Sequence, residues 1–306
     1  MVRLAFAFLL SLCVSAHAQM SGGAMFPGPG VKAYSGGFSP GCTESSNWLT
    51  RLGSAPLYGL SSTTLRDAYD TMICGMVTDG DFAKLDALYI YATDTSTIAK
   101  LNLVSTSFSA TYNGVPAESS QFAAGVGYTG NASNVFLSMG LNPNAGGLNY
   151  TSTSSSLGVY IPVSGTRTTG QGWAAIGQCD NGGTCGTVYH DVFPKFSDNN
   201  AYAQFAGNAS AAMTNAMGLS IGIRTSATAM ALWKNGSSVA STSSATGGLP
   251  NSTGGIYVLG RNSNNTINSA SSDTVSAAFI GGGTIGVANI SGRINTFMTS
   301  LGINAY

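Results

Sequence analysis

Carboxylate side chains, the groups most useful for acid–base chemistry, are few in this sequence. Hydrolysis of a glycosidic bond needs two of them about 5–10 Å apart. The glutamates Glu44 and Glu118 lie far apart, and neither stands in an alternating acidic pattern. The one acidic i,i+2 pair, Asp79 and Asp81, flanks a glycine typical of a helix end. We therefore predict no catalytic residue and no cofactor; the alternative is a calcium ion held by this pair together with Asp86.

Two segments match known catalytic or cofactor patterns. Residues 37–41 (Gly-Phe-Ser-Pro-Gly) fit the nucleophile elbow of hydrolases, but no strand precedes them, and Pro40 lacks the N–H that an oxyanion hole requires. Residues 125–130 fit the dinucleotide fingerprint, but they open no helix, and no acidic residue follows about 20 positions later. In a chain with 41 glycines, we interpret both matches as chance.

Aromatic and polar side chains group around the loop between Cys179 and Cys185. Aromatic rings can stack on the faces of sugar rings, while Asn and Asp groups hydrogen-bond to hydroxyls. A disulfide across the loop would pre-organise such a site; the alternative for the tryptophan of this group is a core position. The predicted ligand-binding residues are Trp173, Asp180, Asn181, Tyr189 and His190.

His190 also stands beside Asp191, which is the arrangement of a general-base dyad. No nucleophile can be assigned to such a dyad in this sequence. We therefore favour the alternative that His190 is a polar residue near the end of a strand.

Four cysteines follow the N-terminal segment: Cys42, Cys74, Cys179 and Cys185. An even number in an exported chain indicates two disulfides. The simplest of the three pairings is Cys42–Cys74 with Cys179–Cys185, because each bond then closes a local loop. A zinc site is the alternative, but the sequence has no Cys-x-x-Cys pair.

The first eighteen residues resemble an export signal. Arg3 supplies the positive start, residues 4–14 the apolar core, and Ala16-His17-Ala18 a small-x-small cleavage site. The apolar run is shorter than the roughly 20 residues of a membrane-spanning helix. We expect cleavage after Ala18 and a secreted or periplasmic product with no membrane span; a virion is the alternative location.

Charge is low and balanced along the chain. Lys and Arg together number 12, as do Asp and Glu, and only 8% of residues are charged. The Lys and Arg residues are scattered along the sequence, so they form no basic patch that could bind nucleic acid or anionic lipid. We therefore exclude nucleic acid as the expected partner.

The N-terminal quarter of the chain contains two segments of different composition. Residues 19–41 are rich in Gly, Pro and Ser and predict a flexible linker. Residues 42–80 predict a small helical region, because apolar side chains between positions 65 and 76 recur at helical spacing. A disulfide between Cys42 and Cys74 would join its helices.

Beyond residue 85 the pattern changes to short strands separated by Gly, Asn and Ser turns. The pair Asn235-Gly236 between two strand-like runs is a strong signal for a type I′ hairpin. Apolar positions from 287 to 301 return to helical spacing and predict a C-terminal helix. Apart from the hairpin, the predicted strands cover residues 88–92, 101–104, 135–137, 157–163, 173–176, 187–189, 202–205, 219–223 and 275–280.

Several of these short strand and turn segments resemble those of a known group of domains. The likeness spans residues 81–306 and points to the concanavalin A-like (laminin-G-type) lectin/glucanase domains of exported and prophage- or tail-associated bacterial proteins. It implies a jelly roll, a fold that hosts lectins, hydrolases and structural modules. The segments that carry the resemblance are Leu85-Asp-Ala-Leu-Tyr-Ile-Tyr91, Gly127-Tyr-Thr-Gly130, Leu148-Asn-Tyr-Thr151, Leu232-Trp-Lys-Asn-Gly236, Ile256-Tyr-Val-Leu-Gly-Arg-Asn262 and Ala277-Ala-Phe-Ile-Gly-Gly-Gly283.

The sequence therefore predicts a mainly β protein, an antiparallel jelly-roll β-sandwich with a small N-terminal helical region and a C-terminal helix. Its expected function is non-catalytic binding of a glycan or cell-surface polysaccharide outside the cell. One alternative is a structural or adhesive component of a phage or prophage tail. A second is a diverged glycoside hydrolase, which the missing carboxylate pair disfavours.

Overall fold

Short antiparallel strands dominate the computed structural model of this chain. The structure describes residues 38–52, 63–166, 173–180, 185 and 188–306. The predicted signal segment 1–18 and most of the predicted linker lie outside these residues. The described helices are α1 (Thr43–Leu52), α2 (Thr63–Thr78), α3 (Ser96–Ala99) and α4 (Val287–Ser300).

The strands are β1 (Leu85–Ile90), β2 (Thr111–Asn113), β3 (Phe122–Ala123), β4 (Gly127–Thr129), β5 (Phe136–Ser138), β6 (Ser155–Ile161), β7 (Ile176–Cys179), β8 (Tyr189–Phe193), β9 (Asn200–Phe205), β10 (Asn208–Ala212), β11 (Gly218–Arg224), β12 (Met230–Lys234), β13 (Ser237–Thr242), β14 (Tyr257–Val258), β15 (Arg261–Ser263), β16 (Thr266–Asn268), β17 (Thr274–Val275) and β18 (Ala277–Gly281).

Two large sheets contain most of these strands, and β17, β4 and β3 form a third, small sheet. The six-stranded sheet has the order β1-β18-β6-β11-β12-β13. The nine-stranded sheet runs β10-β9-β8-β7-β14-β5-β2, and the β15–β16 hairpin joins it beside β7. Strand β15 pairs with β7 in parallel, whereas neighbours along both main paths pair antiparallel. The chain is thus an antiparallel β-sandwich with a C-terminal helix, as predicted.

The six-stranded sheet has an apolar layer on each of its faces. One layer, which includes Leu157 and Val159, packs against side chains of the nine-stranded sheet such as Val192 and Phe205. The other layer, which includes Phe279, packs against the helices. Full burial of one such side chain stabilises the fold by roughly 1.5–3 kcal/mol. The six-stranded sheet is therefore the central layer of the described structure.

Helices α2 and α4 cover this sheet with one apolar stripe each. In α4, Ile290, Ile294 and Phe297 are buried at the i, i+4, i+7 spacing that the sequence shows. Tyr69 of α2 packs on Phe297, with ring centroids 4.9 Å apart. Gly302 follows α4 with a φ of 73°, a conformation that glycine adopts without strain. Both predicted helical stripes are confirmed.

The hairpin between β12 and β13 also matches its prediction. Asn235 and Gly236 have φ values of 50° and 79°, and a type I′ turn requires positive φ at both central positions. The Asn235 side chain accepts a hydrogen bond of 2.9 Å from the backbone N–H of Leu219 on the neighbouring strand β11. The turn residue therefore also ties the hairpin to the sheet.

One predicted strand, at residues 101–104, is wrong. The buried side chain of Asn102 takes the place of a strand partner, since its Oδ1 accepts from the backbone N–H groups of Leu88 at 3.1 Å and Val104 at 3.0 Å. Its Nδ2 donates to the carbonyl of Asp86 at 3.2 Å. A side chain that satisfies backbone groups in this way supports a loop instead of a ladder.

Both predicted disulfides, Cys42–Cys74 and Cys179–Cys185, are present. Among the helices that the structure describes, none is both long and apolar enough to cross a membrane.

Candidate functional site

A shallow depression lies on the face of the nine-stranded sheet that points away from the six-stranded sheet. Its volume is about 310 Å³. We call it the aromatic depression, because four of its side chains are aromatic. The residues that line it are Tyr189, Phe193, Phe196, Tyr202, Gln204, Arg261 and Ser269.

Strand alternation decides which side chains of β8 reach this face. Successive residues of a strand point to opposite sides of the sheet. Tyr189, Asp191 and Phe193 therefore share the outer face, while His190 and Val192 point into the sandwich, where Val192 belongs to the core.

Strand β9 adds a second row beside the first. Gln204 stands directly opposite Asp191, and Tyr202 directly opposite Phe193. Phe196, in the loop between the two strands, meets the Tyr202 ring edge to face, with centroids 5.8 Å apart. The aromatic walls thus come from two adjacent strands and from the loop that connects them.

Arg261 enters this face from β15 and contacts all three outward side chains of β8. Its Nη1 lies 3.0 Å from Oδ2 of Asp191, and its Nη2 donates to Oδ1 of Asn268 at 3.2 Å. Its guanidinium carbon is 5.2 Å from the ring centroid of Tyr189 and 5.7 Å from that of Phe193. These are the distances of cation–π contacts. The guanidinium is therefore held by a carboxylate, an amide and two rings.

Asp191 lies beneath the guanidinium and has no solvent-exposed surface. Gly177 of β7 stands opposite it, and a Cβ atom at that position would lie 2.2 Å from Cβ of Asp191. Glycine is thus the residue that leaves room for this carboxylate. Burial raises the pKa of Asp191 to about 6, although the charge of Arg261 and its hydrogen bond act in the opposite direction. The other oxygen, Oδ1, has no hydrogen-bond partner among the described residues.

A second carboxylate, that of Asp198, contacts Tyr202 of the aromatic depression. It accepts a hydrogen bond from the hydroxyl of Tyr202. This contact and bonds from Asn200 lower the pKa of Asp198 in spite of an opposing effect of desolvation. Asp198 is therefore ionised near neutral pH.

The ligand-binding residues predicted from the sequence do not form one surface. Tyr189 lines the aromatic depression, but His190 points to the opposite side of the sheet and is fully buried. Its Nδ1 lies 2.6 Å from the hydroxyl of Tyr150, and burial lowers the pKa of His190 to about 3. Because His190 and Asp191 face opposite sides, they do not form the acid–base dyad considered from the sequence.

The other predicted residues stand apart from the aromatic depression. Trp173 is only 2% exposed, which agrees with the alternative of a core position. Asp180 anchors its own loop, because its carboxylate accepts from the backbone N–H groups of Asn251 at 2.7 Å and Val188 at 3.2 Å. Asn181 lies outside the described residues.

The calcium site considered as an alternative for the carboxylates at the end of α2 does not assemble either. Asp79 pairs with Arg293 at 2.9 Å. Asp81 pairs with Lys84 at 3.0 Å. Asp86 accepts backbone hydrogen bonds from the segment 149–150. Each carboxylate is engaged separately, and the described residues contain no group of three or more His, Cys, Asp or Glu that could hold a metal ion.

Comparison with known proteins gives distant structural likenesses. No family model matches the chain, and no curated protein matches it. A sialidase of Trypanosoma rangeli is 13% identical with a TM-score of 0.47; the match covers 73% of this chain and 34% of the sialidase chain. Domain 4 of AbnA, a GH43 extracellular arabinanase from Geobacillus stearothermophilus in complex with arabinotriose, is 11% identical with a TM-score of 0.43, and the match covers 69% of this chain and 98% of that domain. This chain thus spans about a third of the sialidase. What the aromatic depression binds has to follow from its own residues and charges.

Proposed function

We propose that this protein is an exported, non-catalytic carbohydrate-binding protein and that its ligand occupies the aromatic depression. The observation that carries the proposal is the arrangement of Tyr189, Phe193 and Tyr202 around the fixed guanidinium of Arg261. Aromatic rings offer flat apolar faces to sugar rings. Gln204 and Ser269 supply hydrogen-bonding groups for sugar hydroxyls at the same surface.

The shape of the aromatic depression fits a segment of a longer chain. Its volume of about 310 Å³ lies at the lower end of the range for small-ligand sites, about 300–1,000 Å³. A shallow open site on a sheet does not close around the ends of its ligand. A cell-surface or extracellular polysaccharide therefore suits it better than a free metabolite.

The domain and location that accompany this proposal come from the sequence. We infer a concanavalin A-like jelly roll over residues 81–306, preceded by the helical region 42–80, the linker 19–41 and a signal peptide cleaved after Ala18. The two disulfides support an oxidising compartment, since such bonds are rare in the cytosol. A tail-associated structural part would share these features, so binding experiments have to separate the two.

Replacing Tyr202 by alanine is expected to weaken glycan binding by at least roughly tenfold, which is about 1.4 kcal/mol. The substitution removes one aromatic wall and leaves the Asp191–Arg261 pair in place. A glycan array with the protein lacking residues 1–18 identifies the hits, and isothermal titration measures their affinities.

Tyr306→Ala is the matched control, because Tyr306 is 46% exposed and packs on Tyr160 of the six-stranded sheet, away from the aromatic depression. Its affinity for the hits should equal that of the wild type. Unchanged binding by Tyr202→Ala would place the ligand elsewhere. An array without any hit would favour the structural role.

The hydrolase alternative rests on the different protonation of Asp191 and Asp198. Groups whose surroundings move their pKa values apart are candidates for acid and base roles. Asp191, however, has no exposed surface and lies beneath Arg261. Polysaccharide cleavage that is lost in Asp191→Asn and Asp198→Asn would establish the enzyme in place of the binding protein.

A further inference from the structure

We propose that the Asp191–Arg261 pair sets the charge class of the ligand, so that the aromatic depression takes a neutral glycan and rejects carboxylated ones. This inference rests on the proposed function. It concerns a property that carbohydrate binding alone leaves open, because aromatic stacking serves neutral and acidic sugars equally well.

Both Nη groups of Arg261 already have partners, while its Nε is buried without one in the part of the chain that the structure describes. Nη1 binds Asp191 and Nη2 binds Asn268, and the rings of Tyr189 and Phe193 lie on either side. Arginine is the residue that best recognises a carboxylate, because its planar fork donates two parallel bonds. A carboxylated sugar would have to compete for that fork with Asp191 and Asn268, and Asp191 has no other charged partner among the described residues.

The other charges near the pair add no excess positive charge, because the loop after β8 carries one anion and one cation. The charges of Asp191 and Arg261 cancel each other. The negative charge of Asp198, which contacts a tyrosine of the aromatic depression, is offset by the positive charge of Lys195. Lys195, in the same loop as Asp198, donates to the carbonyl of Thr214 at 2.7 Å.

The strands packed against the pair add no further charge. Strand β9 presents Tyr202 and Gln204 to this face, and β16 presents Asn268. The buried His190 on the inner side of β8 is neutral, because its pKa is lowered to about 3. An anionic ligand therefore meets no uncompensated cation from these elements.

Removing the charge of Asp191 reverses the selection. Asp191→Asn keeps the size of the side chain and leaves the guanidinium of Arg261 without its counter-ion. Acid has the same effect in the wild type, since Asp191, with a pKa raised to about 6 by burial, gains a proton as the pH falls through this value. Ordinary sugar carboxylates, with pKa values near 4 or below, stay mostly ionised at pH 5. The preference between neutral and acidic glycans should thus depend on pH.

The test is an array of matched oligomers: galactose and galacturonic acid, glucose and glucuronic acid, mannose and mannuronic acid. At pH 8 the wild type should bind the neutral member of a pair at least tenfold more tightly than the acidic member. Asp191→Asn should shift this ratio about tenfold towards the acidic member. The wild type at pH 5 should show the same shift, and Arg261→Gln should show none between pH 8 and pH 5.

Each outcome decides between the two proposals. Equal or tighter binding of the acidic members by the wild type at pH 8, weakened by Tyr202→Ala, would keep carbohydrate binding and overturn charge selection. A ratio unchanged both in folded Asp191→Asn and in the wild type at pH 5 would also overturn it. If Asp191→Asn fails the check of folding by circular dichroism, the pH comparison of the wild type decides. Absence of binding to all six oligomers and to the glycan array would refute both proposals.

Discussion

Arg261→Ala is expected to lower the free energy of unfolding by about 3–5 kcal/mol at pH 8. The substitution leaves the carboxylate of Asp191 fully buried and without its counter-ion, since the only salt bridge that the described residues offer it is the one to Arg261. A buried charge that loses its partner retains the full cost of its desolvation. Urea unfolding at pH 8, followed by circular dichroism, measures the loss.

The loss should shrink at pH 5. The folded-state pKa of Asp191 is raised above its ordinary value, so the folded protein binds this proton more tightly than the unfolded chain does. The resulting stabilisation is fully present below about pH 4 and disappears as the pH rises through about 6. Without Arg261 the pKa of Asp191 rises further. Protonation of Asp191 at pH 5 therefore reduces the destabilisation of the Arg261→Ala variant. The double variant Arg261→Ala/Asp191→Asn should recover most of the stability at pH 8.

Arg293→Ala is the matched control for the loss of an arginine. Arg293 pairs with Asp79 at 2.9 Å, but its side chain is 39% exposed, and water screens pairs of this kind. Its unfolding midpoint should stay close to that of the wild type. If both alanine variants lose the same stability at both pH values, Asp191 is not held as a buried ion and its assigned role is wrong.

Removal of the Cys42–Cys74 disulfide is expected to cost roughly 3–4 kcal/mol of stability. The bond joins the start of α1 to α2 across 32 positions of sequence. In the chain-entropy account, the cost grows with the length of the closed loop. Urea unfolding of Cys42→Ala/Cys74→Ala measures it.

The second disulfide supplies the comparison. Cys179 and Cys185 are only 6 positions apart, so the same account predicts a smaller loss, roughly 2–2.5 kcal/mol, for Cys179→Ala/Cys185→Ala. A larger loss for the short loop would show that the loop between β7 and β8 contributes more to the fold than its length indicates.

The sequence predicted the elements whose signals are local. The Asn235-Gly236 turn and the apolar stripe of α4 each follow from backbone preference or helical period within a few residues. Strand β10 was not predicted, because Asn208–Ala212 has only small side chains and no β-branched or aromatic residue. The loop at residues 101–104 depends on the side chain of Asn102 and on strand β1, which is distant in sequence. A hydrogen bond between a side chain and the backbone of another segment produces no periodic pattern in the sequence.

The candidate site was predicted only in part for the same reason. The alternation of Tyr189, Asp191 and Phe193 was visible in the sequence, and it separates Tyr189 from its neighbour His190. The contribution of Arg261 was not visible, since it depends on β15 turning back to run parallel to β7. The ligand-binding residues were predicted from their proximity in sequence to the Cys179–Cys185 loop. In the fold, such neighbours lie on two different faces of the sheet.

The most direct measurement of the central claim is a crystal structure of the protein bound to its tightest glycan hit. We predict electron density for a sugar ring over the aromatic depression, against Tyr189 or Tyr202 and within hydrogen-bonding distance of Gln204 or Ser269. Density for the glycan at any other surface, with the aromatic depression filled by solvent, would contradict the account.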